Sequence, residues 1–200
     1  MSVKLPFGIK EGKLLHISEV SKGLDCGCVC PACSSPLVAR KGNKVVHHFA
    51  HYNSSECQGA VETALHLAAK DILSKHRRMK LPEKFFYVGY DSCLLFEEHY
   101  IELDEVFLEN RLDNFVPDLI AYKKGIPLVV EVTVTHKTDD VKLDYFQAKD
   151  ISVLEIVLAD FDRNFSLGEL EDEIINQTGS KKWLFNRNVK VKKKHLFSLA

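Results

Sequence analysis

The chain has 200 residues, 46% of them hydrophobic, with 27 Lys and Arg against 28 Asp and Glu and a formal net charge of −1. That size suits one domain with a small appendage, and the apolar content is ordinary for a protein that buries a core. Bulk charge therefore points to no partner, and no run approaches the ~18 apolar residues of a membrane-spanning helix.

The N-terminus, MSVKLPFGIKEGK, lacks the apolar stretch of a secretory signal. The expected address is the cytoplasm, with no membrane partner. A reducing compartment disfavours disulfides among the six cysteines. KLLHISEV can form a strand, and SKGLD reads as a turn into the cysteines. Residues 1–57 are expected to form a small N-terminal lobe, because 26–57 is dense in Cys, His, Gly and Ser. AVETALHLAAKDILSKHRR then reads as a helix without Gly or Pro. Leu65, Ala69, Ile72 and Leu73 form its apolar stripe, while Glu62, His66 and Lys70 share another face. Pro82 ends that pattern.

FFYVGY, CLLF and YIELDEVFLE lean to strands. FVPDLIAYKKGIPLVVEVTVTH is the clearest hairpin, with arms Val116–Tyr122 and Pro127–Thr135 around the turn KKG. The second arm is almost wholly apolar, as a central strand buried on both faces would be. KTDDVKLDYFQAKD reads as a second helix capped by Thr138 or Asp139. ISVLEIVLA reads as a buried strand, and SLGELEDEIINQ as a third helix capped by Ser166. A sheet with helices on its faces is an α/β or α+β domain, of which α/β is the expectation, with a core over 58–180. From Lys181 to His195 there are seven Lys or Arg and no acid, which marks 181–200 as a basic C-terminal tail.

Cys30-Pro-Ala-Cys33 places two thiols on a tight turn, and His48-Phe-Ala-His51 follows. Four S and N donors of this kind suit tetrahedral Zn²⁺. The short His spacing departs from the usual DNA-binding finger. Cys26, Cys28, Cys57 and His47 are spare donors. A redox CxxC pair and inert buried cysteines are the alternatives. A closed four-ligand site leaves no position for water, so the zinc is expected to be structural.

Asp118 follows Pro117, and Glu131 stands in the middle of the most apolar strand. A buried carboxylate needs a partner or a metal. The two arms of a hairpin can bring Asp118 and Glu131 together, and two facing carboxylates repel unless a cation lies between them. Mg²⁺ is the natural cation, with Mn²⁺ its substitute. Turn chemistry for Asp118 and a structural ion pair for Glu131 are the alternatives. Glu155 repeats the buried-acid question in the last strand.

Pro117-Asp118, twelve intervening residues and Glu131-Val132-Thr133 resemble the PD-(D/E)XK nuclease core, an αβββαβ restriction-endonuclease-like unit. Cys30-Pro31-x-Cys33, Gly42, His48-Phe49-Ala50-His51, Glu62-x3-His66, Pro117-Asp118 and Glu131 through Thr135-His136 together resemble the CoiA-like competence-protein and nuclease group, over roughly 26 to 158. The resemblance implies a metal-dependent DNA nuclease with an N-terminal zinc lobe, serving DNA processing or defence. It implies that Asp118 and Glu131 ligate Mg²⁺ and that Glu62 stands beside the metal. The family places a lysine two residues after the second acid, where this chain has Thr133. Lys142 on the following helix is the substitute, with Lys137 and His136 behind it.

Lys190, Lys192, Lys193 and Lys194 are candidates to hold a phosphate backbone without reading sequence. The substrate is expected to be DNA, with RNA left open, and a protein partner can supply specificity. The rival functions are a non-catalytic nucleic-acid-binding or scaffold subunit and a redox or zinc-sensing regulator.

Overall fold

The computed structural model describes residues 4–53, 57, 59–88, 91–135, 139–162 and 165–189. The chain divides into two compact units, Met1–Ala69 with Asp160–Leu170, and Lys70–Ala159 with Glu171–Ala200.

The first unit opens with β1 (Phe7–Lys10) and β2 (Lys13–His16), an antiparallel hairpin. Its two-residue turn, Glu11-Gly12, has positive φ at both positions, the backbone that matches the twist of the flanking strands. Two short 3₁₀ turns follow, Ile17–Glu19 and Leu24–Cys26. His16 Nδ1 accepts from Ser18 N at 3.3 Å, and Glu19 accepts from His16 N at 2.6 Å, so the first turn carries a reciprocal cap. β3 (Leu37–Arg40) and β4 (His48–His51) form a second antiparallel hairpin. Around the hairpins Leu5, Phe7, Ile17, Leu37, Ala39 and Phe49 are buried, and the unit also buries Ala60, Ala64, Leu65, Ala68, Ala69, Phe165 and Leu170. Backbones run close together in it. A Cβ added at Gly8 would lie 2.9 Å from the Cys28 Cβ, so only glycine fits there.

α1 (Ala60–His76) buries Ala64, Leu65, Ala68, Ala69, Ile72 and Leu73, the stripe its apolar spacing implies. The unit boundary falls within this helix, after Ala69. The helix stops two residues before the sequence pattern does. Arg77 adopts positive φ and gives its N–H to Leu73 O at 3.0 Å, a left-handed end to the helix. Arg78 then begins a strand.

In the second unit β5 (Arg78–Leu81) pairs with β8 (His99–Glu102), and β6 (Lys84–Val88) with β7 (Asp91–Phe96), each antiparallel. A five-stranded sheet follows from β9 (Glu105–Leu108), β10 (Leu119–Lys123), β11 (Ile126–Thr133), β12 (Ser152–Val157) and β13 (Lys181–Phe185). Its order is β13-β12-β11-β10-β9. Only β11 and β12 run parallel, joined through α2 (Asp140–Ala148). α3 (Leu167–Ile175) precedes β13.

Two sequence expectations change here. YIELDEVFLE is two strands, β8 and β9, paired to different partners. Asp104 lies between them and accepts from Lys124 N at 2.6 Å and Lys123 Nζ at 3.1 Å, which ties the break to the β10–β11 turn. The start of the stretch read as a tail is β13. Its apolar residues Trp183, Leu184 and Phe185 supply an edge strand, despite the lysines around them.

α2 is capped by Asp139, whose side chain accepts from Val141 N. It covers one face of the sheet. Ile120, Val129, Phe146 and Val153 form the buried layer, with Leu143 and Ile151 packed against it. Fully burying Phe146 stabilises by about 2–3 kcal/mol. The architecture is thus mixed α/β around a five-stranded sheet. Among the described residues no helix is long and apolar enough to cross a membrane.

Candidate functional site

In the first unit, Cys30, Cys33, His51 and Cys57 bring their donor atoms within 4.8 Å of one another. Cys30 Sγ lies 3.5 Å from Cys57 Sγ, and Cys33 Sγ lies 3.3 Å from His51 Nε2. The turn holding the first two is built by Ser34 N donating to Cys30 O and Cys30 N donating to Ser35 O. Ser34 itself has positive φ, which closes the turn. Hydrogen bonds from Ser35 pull the Cys33 thiol down to about 6. Burial, with Cys30 and Cys33 beside it, pushes the Cys57 thiol up to about 12. Neighbouring thiols cannot all ionise without a cation. This Cys₃His group can hold a metal ion such as zinc.

His48 is not in the group. It stands three residues from His51 on β4, and side chains alternate along a strand, so the two point to opposite faces. Its Nδ1 is 2.9 Å from Val46 O. Cys57, a spare donor in the sequence, takes the fourth place. Cys26 and Cys28 are buried outside the group: the Cys26 thiol donates to Leu37 O at 3.3 Å, and burial raises the Cys28 thiol to about 11.

The second unit carries a polar row across its sheet. Glu131 on β11 pairs in register with Glu155 on β12, which pairs with Lys182 on β13. One step beyond Leu119↔Val130, Asp118 stands opposite Glu131. In-register neighbours share a face, and this face is the one α2 covers, since Val129 and Val153 lie two residues away under Phe146. The row is the polar end of that core layer.

Glu131 is 5% exposed. Lys142 on α2 places its Nζ 2.7 Å from Oε1 and 2.8 Å from Oε2, and donates also to Val116 O at 3.0 Å. Only the Oε2 contact is aligned as a hydrogen bond, and Oε1 has no aligned donor among the described residues. Burial raises the Glu131 carboxyl to about 7, against the pull of Lys142 and with the push of the Asp118 charge. Asp118 Oδ2 accepts from Val132 N at 2.8 Å, which fixes that carboxylate on the neighbouring strand. Thr133 gives its hydroxyl to Glu155 Oε1 at 2.6 Å, and Lys182 Nζ lies 2.7 Å from Glu155 Oε2. Glu155, 1% exposed, is therefore satisfied on both oxygens.

The structure thus groups Asp118, Glu131 and Lys142. Glu62 and His66 lie half-buried on α1 in the first unit. His136, Lys137, Lys190, Lys192, Lys193 and Lys194 fall outside the described residues. Lys182 was hidden within the basic run. Its signal is its place in KKWLF, where it alternates with Leu184 on one side of the strand.

Residues 17–60 match the family model described as "Competence protein CoiA, N-terminal domain". No curated protein and no solved structure matches the chain. The matched span contains all four members of the Cys₃His group and ends at the first residue of α1. Over these residues the chain is similar to the N-terminal domain of a competence protein.

Proposed function

We propose that the second unit is a metal-dependent nuclease domain of the PD-(D/E)XK, restriction-endonuclease-like type, that it hydrolyses phosphodiester bonds of DNA, and that the first unit is a lobe held by a structural zinc ion. The observation that carries this is the approach of Asp118 and Glu131 on neighbouring strands β10 and β11, with Lys142 reaching Glu131 from α2. The chain order supports it: after α1 and the β5–β8 strands come β9, β10 and β11 antiparallel, then α2, then β12 parallel to β11.

The donor set fits Mg²⁺ or Mn²⁺. Both hard oxygen ligands are present, and buried Glu131 Oε1 has no aligned donor among the described residues. Such an ion supplies Lewis-acid polarisation of the phosphodiester and acidifies a water. Asp118 and Glu131 would hold it. Lys142 neutralises Glu131 in the absence of a cation. In this reading its ammonium would stabilise charge on the phosphate. Thr133 does not replace the motif lysine, because its hydroxyl is committed to Glu155. Lys190, Lys192, Lys193 and Lys194 would hold the phosphate backbone.

The test incubates zinc-loaded protein with linear, circular and single-stranded DNA, and with RNA, in Mg²⁺ or Mn²⁺. Asp118→Ala and Glu131→Ala run beside it. The expected result is cleavage of DNA that falls at least about a hundredfold in both variants and stops in chelator. Cleavage equal in wild type and variants would sink the assignment. A second reading is a non-catalytic nucleic-acid-binding or scaffold subunit. It is favoured by Thr133 and by the contact of Lys142 with both Glu131 oxygens, an arrangement that is neutral without metal. Salt-dependent DNA binding without cleavage of any substrate would select it, or a nuclease that needs a partner protein.

A further inference from the structure

A cavity of about 330 Å³ opens in the second unit, away from the carboxylate row. Leu128 on β11, Ser152 on β12 and Trp183 on β13 line it. Leu128 and Ser152 are register partners, each adjacent to a residue packed under Phe146. They therefore face the side of the sheet that α2 does not cover. The volume is within the range of small-molecule sites, about 300–1,000 Å³.

Its chemistry is lopsided. Three basic side chains, Lys123, Lys124 and Arg187, line it, and no carboxylate does, in a chain where acids outnumber bases 28 to 27. Asp104 lies 3.1 Å from Lys123 and Asp150 3.4 Å from Arg187, both from outside the lining. Lys124 is exposed, and its contact with Asp104 runs through its backbone N–H at 2.6 Å, which leaves its ammonium at the surface. That lining suits an anion. The walls are apolar and partly aromatic, with Leu81, Phe96 and Trp183, and the indole is fixed by Trp183 Nε1 donating to Pro82 O at 3.1 Å. Inorganic phosphate leaves such walls wet. Asn188, and Asn186 whose Oδ1 accepts from Asn188 N, add polar amides that an alkyl chain does not match. A flat ring with a polar edge and an attached anion satisfies all three features.

We infer that this cavity binds a nucleotide unit, its base against Trp183 and its phosphate at Lys123, Lys124 and Arg187. Stacking on an aromatic face with cations along the backbone is a general mode of nucleotide and single-strand binding. The inference does not rest on the carboxylate site, and the unit can come from a free nucleotide or from a strand.

Trp183 is the chain's single tryptophan, so its emission reports occupancy directly. The full-length protein is titrated with deoxyadenosine monophosphate, with short oligothymidylate, with an abasic oligomer of equal charge, and with inorganic phosphate. The mononucleotide and the oligothymidylate are expected to change the emission saturably, and the abasic oligomer and phosphate are not. Equal affinity for mononucleotide and oligomer identifies a free nucleotide as the source, and a strong preference for the oligomer identifies a strand. Lys124→Glu, at an exposed turn position, is expected to weaken binding about tenfold, the loss of one charge-assisted contact, with its circular dichroism unchanged. The titrations run without added Mg²⁺ or Mn²⁺, so binding at this cavity is read whether or not cleavage is ever seen. The inference is overturned by an abasic oligomer that acts like the oligothymidylate, by no saturable change with any nucleotide, or by Lys124→Glu binding as tightly as wild type.

Discussion

Glu131 is where burial and charge oppose each other most strongly. Its pKa rises from 4.5 to about 7, first through desolvation, with Lys142 countering only part of that effect. The folded state therefore holds this proton more tightly than the unfolded chain does. The stability it contributes is full below pH 4.5 and is lost as pH rises through 7. A shift of this size corresponds to about 3 kcal/mol. Glu131→Gln cannot lose that proton. Urea unfolding at pH 5 and pH 8 should show wild type losing about 2–3 kcal/mol relative to the variant, and identical pH slopes would show that Glu131 does not titrate there. Mg²⁺ should flatten the wild-type slope, because a bound cation favours the carboxylate. Glu155 gives the contrasting case. Lys182 and Thr133 both bind it, so Lys182→Met takes a partner from a buried charge. Lys182 is 52% exposed, so solvent screens the pair, and the expected cost is about 1–2 kcal/mol by denaturant titration. A cost near zero would mean that water replaces the ammonium fully.

At the scale of elements, the period of a strand decides which histidine can join the thiols. His48 and His51 are an odd number of residues apart on β4, so one strand face offers only one of them. His51→Ala and Cys57→Ser should each lower zinc content well below one ion per chain, while His48→Ala should leave it intact. Elemental analysis of purified protein reads this directly, and zinc loss in His48→Ala would contradict the grouping. The same rule explains what was legible in the sequence. The β10–β11 hairpin was readable because Lys124-Gly125 marks the turn and β-branched residues mark the arms. Asp118 and Glu131 followed from it, since a hairpin fixes its own register. Cys57 had no such rule, because it reaches the group from outside any periodic element. β5, β8 and β13 were obscured for a related reason. Each is four or five residues long and is stabilised by a partner distant in sequence, so local pattern says little about it.

The two units of the whole molecule are stabilised by different means. The second has a sheet buried on both faces, with Leu119, Val130, Leu154 and Ile156 on one side and the Phe146 layer on the other. The first has short hairpins, an apolar centre completed by the start of α1, and four metal-donor side chains, three of them thiols. If the proposed structural zinc occupies that group, the lobe should depend on it, since such a site contributes on the order of 10 kcal/mol at neutral pH. Removing zinc should therefore affect the units unequally. In a strong chelator, hydrogen exchange should lose its protection across β1–β4 and keep it across β10–β12. Trp183 belongs to the second unit, so its fluorescence transition in urea should keep its midpoint to within a few tenths molar while the ellipticity change becomes biphasic. The boundary that runs through α1 between Ala69 and Lys70 gives this measurement its force. If loss of the metal melts the helix from its first turn onward, protection will fall through Leu73 and the Trp183 midpoint will shift with it. Such coupling would mean that the first unit sets the stability of the sheet that carries Asp118 and Glu131. An unmoved midpoint would mean that the sheet stands on its own core.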